Sequence, residues 1–193
     1  MALNAKNVLV GSPDQASGVG AILSAPLGTS LPTSADAALD AAFTDCGYIS
    51  EDGLTLSPSI STADIKDWSG SLVRRIKESF EGTLTWSHLE TSEASLKNAF
   101  GASAVTATAA TNAHGNQLAV AVNGDLPGAQ SWAFKIKDGD TRVLIVAPNA
   151  EVTGLEDISL KNSEAIVWGV TLSCYPDSSG NSIYIYTDDG QTI

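Results

Sequence analysis

The stretch Ser131-Trp-Ala-Phe-Lys-Ile-Lys-Asp-Gly-Asp-Thr-Arg-Val-Leu-Ile-Val-Ala147 reads as two strands joined by a tight turn. Trp132, Phe134 and Ile136 alternate with Ala133, Lys135 and Lys137. Successive side chains of an extended chain point to opposite faces, so this period of two gathers the large apolar groups on one face. Asp138-Gly139 follows, and glycine tolerates the positive φ that lets two residues reverse a chain. An antiparallel hairpin of Trp132–Lys137 with Thr141–Ala147 is expected.

The same period recurs on either side. Ile166, Trp168, Val170, Leu172 and Cys174 alternate with Val167, Gly169, Thr171 and Ser173. Leu84 and Trp86 alternate with Thr83, Thr85 and Ser87, and Leu54, Leu56 and Ile60 with Thr55, Ser57 and Ser59. Each run predicts a strand with one buried and one wetter face. Turn-forming clusters separate them at Glu51-Asp52-Gly53, Asn123-Gly124-Asp125 and Asp177 to Asn181. One helix is predicted: Thr91 or Ser92 caps it, Glu93 suits its positive end, Leu96, Ala99 and Phe100 share a face, and Gly101 ends it. There is no βαβ alternation and no internal repeat. The predicted class is all-β, an antiparallel β-sandwich or barrel of about eight short strands with one flanking α-helix.

Residues 1–47 differ from the rest, being rich in small and polar residues and interrupted by Pro13, Pro26 and Pro32. Within them Ser34–Phe43 predicts a short helix capped by Ser34, with Leu39, Ala42 and Phe43 on one face. The expected organisation is an arm over residues 1–47, packing on the domain or on a neighbour, and a sandwich domain over residues 48–193.

Composition narrows the function. In 193 residues, 22 acids oppose 10 Lys and Arg, a net charge of −12. Affinity for nucleic acid grows with the phosphates that basic side chains neutralise, so this balance argues against gripping DNA or RNA. With 43% apolar and only 17% charged residues the chain is expected to fold. Cys46 and Cys174 lie far apart, without a Cys/His cluster, and read as small buried fillers. The N-terminal Met-Ala-Leu-Asn-Ala-Lys has no apolar stretch, and no aliphatic run is long enough to span a bilayer, so a soluble protein made in a reducing cytoplasm is expected.

Catalytic patterns are missing. His88 continues the Leu84, Trp86 alternation and reads as a partly buried, hydrogen-bonded imidazole, while His114 sits in a turn-like stretch. There is no G-x-S-x-G elbow, Gly18-Val19-Gly20 lacks the third glycine of a phosphate loop, and Asp177 to Asn181 lacks the spaced carboxylates of a calcium loop. No enzyme, metal or cofactor is expected. Basic residues instead concentrate in two places, Arg74, Arg75 and Lys77, then Lys135, Lys137 and Arg142. They form either solvated strand faces or a polar surface that meets acids of another copy.

A series of segments then resembles one family. Leu39-Asp-Ala-Ala-Phe-Thr-Asp-Cys-Gly-Tyr-Ile-Ser-Glu-Asp-Gly-Leu-Thr-Leu56 is followed by Asp64-Ile-Lys-Asp-Trp68 with Val73-Arg74, and by Ser92-Glu-Ala-Ser-Leu-Lys-Asn-Ala-Phe-Gly101. Ser131-Trp-Ala-Phe-Lys-Ile-Lys-Asp-Gly-Asp140 and Cys174-Tyr-Pro-Asp-Ser-Ser-Gly-Asn181 complete it. In this order, across roughly residues 5 to 190, they resemble the major tail (tail tube) proteins of long-tailed phages of actinobacteria. Cys46 stands where an apolar residue such as Leu is expected.

The resemblance implies a structural virion protein with no enzymatic activity. Family members form hexameric rings that stack into the tail tube, the conduit for genome delivery. Their partners would be other copies of the chain, the tail tip, tape-measure and tail terminator proteins, and DNA passing through the lumen without specific binding. Six copies would put a charge of about −72 on a ring, and carboxylates facing a lumen repel phosphates. The hairpin from Leu54 to Trp68, continuing to Phe80, is the candidate for subunit and ring contacts, with Asp64, Lys66 and Asp67 around an anchoring Trp68, and Arg74, Arg75 and Lys77 behind. Such a protein would be made in the host cytoplasm and would reside in the virion. The alternatives are another tail or neck ring protein, or a carbohydrate-binding or adhesin-like sandwich. The latter is disfavoured because Trp68, Trp86, Trp132 and Trp168 mostly fall on apolar faces.

Overall fold

The computed structural model describes residues 7–15 and 18–191; the N-terminal hexapeptide read above lies outside them. The strands in chain order are β1 (Ser12–Pro13), β2 (Ile22–Pro26), β3 (Thr44–Asp45), β4 (Thr55–Lys66), β5 (Leu72–His88), β6 (Val105–Thr108), β7 (Gln117–Val120), β8 (Gln130–Asp138), β9 (Thr141–Leu155), β10 (Trp168–Cys174) and β11 (Tyr184–Asp188). One helix, α1 (Glu93–Phe100), stands between β5 and β6. The all-β antiparallel class with a single flanking helix is thus observed. The strands are more numerous and longer than expected, β5 reaching 17 residues and β9 15.

The hairpin that decides the fold is formed, but its reversal falls one residue later than expected, at Gly139-Asp140 between Asp138 and Thr141. Phe134 lies opposite Ile145, Lys137 opposite Arg142, and Gly139 turns the chain with φ +60°. From it the main sheet extends in the order β3-β2-β8-β9-β10-β5-β4, with β1 on β8 and β11 on β9. One edge of β9 serves two partners in succession. Arg142–Val146 pair with β11 and Ala150–Leu155 with β10, the exchange falling around Pro148, which has no N–H to give to a ladder. The segment Thr44–Ser50 then crosses from one side of the sheet to the other. The Cys46 amide donates to the Ile22 carbonyl (3.0 Å), and the Ser50 amide to the Ser87 carbonyl (2.8 Å), so the sheet curls towards closure.

Inside the curl, Leu84, Trp86, Trp132, Phe134, Val170 and Leu172 form the principal core. Trp86 is the aromatic centre, with ring centroids 5.3 Å from Trp132 and 5.5 Å from Phe134. Such pairs add about 0.5–1.5 kcal/mol each beyond their buried area. α1 caps one end of this core with Leu96 and Ala99, and the Ser92 side chain caps the helix through the Ser95 amide.

Two expectations need correction. The strands around the hairpin do not have one wet face: Ala133, Leu144 and Val146 are as buried as their neighbours, in a second cluster with Leu23, Ala25 and Phe43. The cover is supplied by Leu31, Ala35 and Leu39 with Tyr184 and Tyr186. The predicted helix over Ser34–Phe43 is absent, and the segment runs as turns and irregular chain. Short polar side chains capture its backbone locally: Asp40 accepts from the Ala42 amide at 2.9 Å, and its carbonyl accepts from the Phe43 amide at 3.0 Å. These bonds compete with a helix too short to be stable unaided. Leu39 and Phe43 face the sheet nonetheless, while Ala42 is exposed.

The motif around residues 45–53 is a corner. Gly47 has φ +80°, and a Cβ there would meet the Glu90 carboxylate at 2.7 Å. The Asp45 carboxylate accepts from the amides of Gly20 (2.7 Å) and Gly47 (2.9 Å), and that of Glu90 from the Tyr48 amide (3.0 Å).

Candidate assembly surface

The ladder of β4 and β5 runs from Thr55 opposite Thr85 to Lys66 opposite Leu72. β10 accompanies β5 only as far as Gly82, which faces Cys174. Beyond that point the two strands form a bare ribbon. Residues 57–81 are exposed throughout, Ala63 alone being half-buried. An unpaired two-stranded ribbon is marginal in water and presents two rows of free backbone groups, a feature that soluble proteins ordinarily cover or use.

Local chemistry stiffens it. The Arg75 guanidinium donates to both oxygens of Asp64, from Nε at 2.7 Å and from Nη2 at 3.0 Å. Ser61 donates to Glu78 at 3.0 Å, and the Lys77 ammonium lies 5.6 Å from the centre of the Phe80 ring. At the tip, Asp67 organises the turn. Its carboxylate accepts from the Ser69 hydroxyl (2.6 Å) and the Ser71 amide (2.8 Å), and Gly70 supplies φ +84°. Hydrogen bonds to the charged form hold both carboxyls below their ordinary range, Asp64 through Arg75 and Asp67 chiefly through Ser69. Trp68 stands on this turn fully exposed.

The seven residues singled out from the sequence therefore occupy one hairpin end. Arg75 already has a partner within the chain. Among the described residues no acid lies within ion-pair distance of Lys66, Arg74 or Lys77. The other basic cluster is differently placed: Lys135 and Arg142 line a groove of about 320 Å³ together with Asp14, Asp36 and Asp40 of the same chain.

Sequence reasoning missed the ribbon's apolar face. Paired residues share a face of an antiparallel ladder, so Asp64 with Arg75 lies on one side, and Ala63 with Ile76 and Ile65 with Arg74 on the other. Leu72 and Val73 are exposed beside them. Two register shifts, at Ser61/Thr62 and at Ile65/Lys66, break the period of two that would have revealed this side. The signal was the run Leu72-Val73 followed by Ile76, apolar without alternation.

His88, Cys46 and Cys174 belong to the core. His88 is fully buried, its Nε2 accepting from Trp86 Nε1 at 3.1 Å, and burial lowers its pKa to about 4. Burial likewise pushes the thiols of Cys46 and Cys174 up to about 12. His114 lies in a turn with Nδ1 2.8 Å from the Gly115 carbonyl oxygen. Asp177 closes its loop by accepting from the Asn181 amide at 3.0 Å and the Tyr184 hydroxyl at 2.7 Å, an arrangement satisfied within the chain.

Comparison with known proteins gives one whole-chain match to a family. A profile of the family described as phage tail tube protein matches residues 1–192. No curated protein sequence matches the chain. Among solved structures, the chain is similar to one in a cryo-EM structure of the anti-feeding prophage cap, a tube-terminating cap. The TM-score is 0.45 and the identity 14%, over 97% of this chain and 100% of that one.

Proposed function

The chain belongs to the phage tail tube protein family, and we propose that its copies close into hexameric rings stacked as the tube through which a genome is delivered. Membership makes it a structural component of the tail, not an enzyme, and implies self-assembly. The finer reading is ours. The segments from Leu39 to Asn181 that resemble actinobacterial phage tail proteins support a long-tailed phage of such hosts, with synthesis in the host cytoplasm before incorporation into the virion.

The observation that carries the proposal is the bare ribbon of residues 57–81. A monomer gains little from holding such a hairpin in water, whereas a ring or stack gains contact area and covers its free edges. Asp64, Lys66, Asp67, Trp68, Arg74, Arg75 and Lys77 are the contact residues in this reading. Of the 1–47 arm, residues 22–43 are read as laid on the 48–193 domain, since Ile22–Pro26 is a strand of the sheet and Leu31, Leu39 and Phe43 cover its second face. The net −12 of each copy would keep DNA from adhering as it passes, and the tail tip, tape-measure and terminator proteins would start, measure and close the tube.

Sedimentation tests this reading. Wild-type chains, alone or with tail tip proteins, should pellet as tubes, while Arg74→Glu combined with Arg75→Glu and Lys77→Glu should stay in the supernatant as folded monomers. Wild-type chains that never pellet under either condition would contradict it.

A further inference from the structure

We propose that Asn123-Gly124 is a self-modifying site, at which the Asn123 carboxamide is lost as ammonia through a cyclic imide formed with the backbone. Of the nine asparagines in the chain, Asn123 alone is followed by glycine. The following residue decides this reaction, because its backbone nitrogen must close on Cγ of the asparagine. A side chain on that residue crowds the ring being formed and restricts the backbone rotation that closure requires. The surroundings of Gly124 are open as well, since a Cβ there would meet no atom within 4 Å.

The loop holds the reacting groups in place. Asn123 Oδ1 accepts from the Asp125 amide at 3.1 Å, and Asn123 Nδ2 donates to the Asp125 carboxylate at 2.8 Å. These bonds tie both ends of the carboxamide across the intervening Gly124. Among the described residues none accepts from the Gly124 amide, and all three residues are exposed to water. The loop is anchored on both sides. The Ala121 amide donates to the Ala104 carbonyl at 2.8 Å, and Pro127 packs so closely on Gly101 that a Cβ there would lie 3.0 Å from Pro127 Cα. Groups held within one tight turn react as a ring closure and not as an encounter in solution.

The step balances without a cofactor. The Gly124 N–H gives its proton to water or hydroxide, and the nitrogen forms a bond to Asn123 Cγ. The C=O electron pair moves onto Oδ1, where the Asp125 N–H already donates and stabilises the charge as it develops. Nδ2 takes a proton from water, the pair returns from Oδ1, the Cγ–Nδ2 bond breaks and ammonia leaves. Water then opens the imide at either carbonyl. Opening at the backbone carbonyl carries the chain through the former side chain as an isoaspartyl link, and opening at Cγ leaves an ordinary aspartyl residue. Either product adds one negative charge to a chain that carries −12. The Asp125 carboxylate acts by holding the carboxamide so that Oδ1 meets the amide. Other asparagines lack this combination: Asn98 is buried with Ser24 and Cys46 on its carboxamide, and Asn116 accepts from the Ala110 amide across its hairpin.

Peptide mapping of the full chain by mass spectrometry, after incubation at neutral pH and physiological temperature, tests the site. The peptide containing Asn123 should gain about 1 Da, with isoaspartate detected by enzymatic methylation, at least about tenfold faster than any other asparagine peptide. Gly124→Ala should slow the gain at least about tenfold and Asp125→Ala at least about threefold, with far-UV circular dichroism unchanged. The rate should rise from about pH 6 to about pH 8, as loss of the amide proton requires. Conversion of Asn123 no faster than that of the other asparagines would overturn the proposal, and so would a rate unaffected by Gly124→Ala. A rate unchanged by Asp125→Ala would overturn the part given to the turn.

Discussion

Arg75 and Asp64 face each other across the β4–β5 ladder, and the guanidinium grips both carboxylate oxygens, at 2.7 and 3.0 Å. The pair lies on a ribbon that no third strand accompanies, where planar two-point bonding fixes the twist of two strands better than a single contact would. Hydrogen bonding by Arg75 lowers the Asp64 pKa from 3.8. The sign follows: the interaction is fully present above the ordinary carboxyl pKa and is lost as pH falls through the lower folded value. The Asp64 carboxyl carbon, followed by NMR, should titrate below pH 3.8, and Arg75→Gln should return its midpoint to the ordinary range.

His88 predicts a second pH dependence at milder acidity. Burial holds the folded imidazole at about 4, against 6.5 for an exposed one. Between those values the unfolded chain binds a proton that the folded chain refuses, so stability falls as pH drops from about 6.5 to about 4 and levels off below. The loss attributable to His88 is roughly 3 kcal/mol. His88→Gln, which keeps an acceptor for Trp86 Nε1, should flatten this part of the curve in urea unfolding measured from pH 7 to pH 4.

Trp68 separates folding from assembly. It is fully exposed, whereas Trp86 and Trp132 are buried. Trp68→Ala should leave the melting temperature of the monomer unchanged and sharply reduce tube formation. Equal losses in both would make Trp68 a folding residue.

The core sets the contrasting case. Leu84 and Leu172 are fully buried inside the curled sheet. Truncating either to Ala should cost about 2–5 kcal/mol, through lost transfer energy and the cavity left behind. Denaturant titration of monomeric protein would show it as a lower midpoint.

The two thiols give a chemical check on the same core. With both pKa values pushed up to about 12, the reactive thiolate is scarce at neutral pH, and both side chains are buried. Cys46 and Cys174 should resist a water-soluble thiol reagent in the folded protein and react fully in denaturant.

What the residues revealed in advance depended on whether the signal was local. Trp132, Phe134 and the Asp138-Gly139 pair declare a hairpin within a few residues, and it forms, with the reversal at Gly139-Asp140. The capped helix at Ser92 was equally legible. Ser34–Phe43 misled because helix-like spacing and sheet-covering coil put the same apolar residues on one side, and the choice between them was made by packing on a distant face. Asp64 to Lys77 were placed together by sequence, but the apolar reverse of the ribbon was hidden by two register shifts.

Cryo-electron microscopy of the assembled protein tests the central claim most directly. The account predicts hollow tubes of stacked six-membered rings, with the hairpin of residues 57–81 buried between copies. Particles without a lumen, or tubes in which those hairpins project into solvent away from every neighbouring copy, would contradict it.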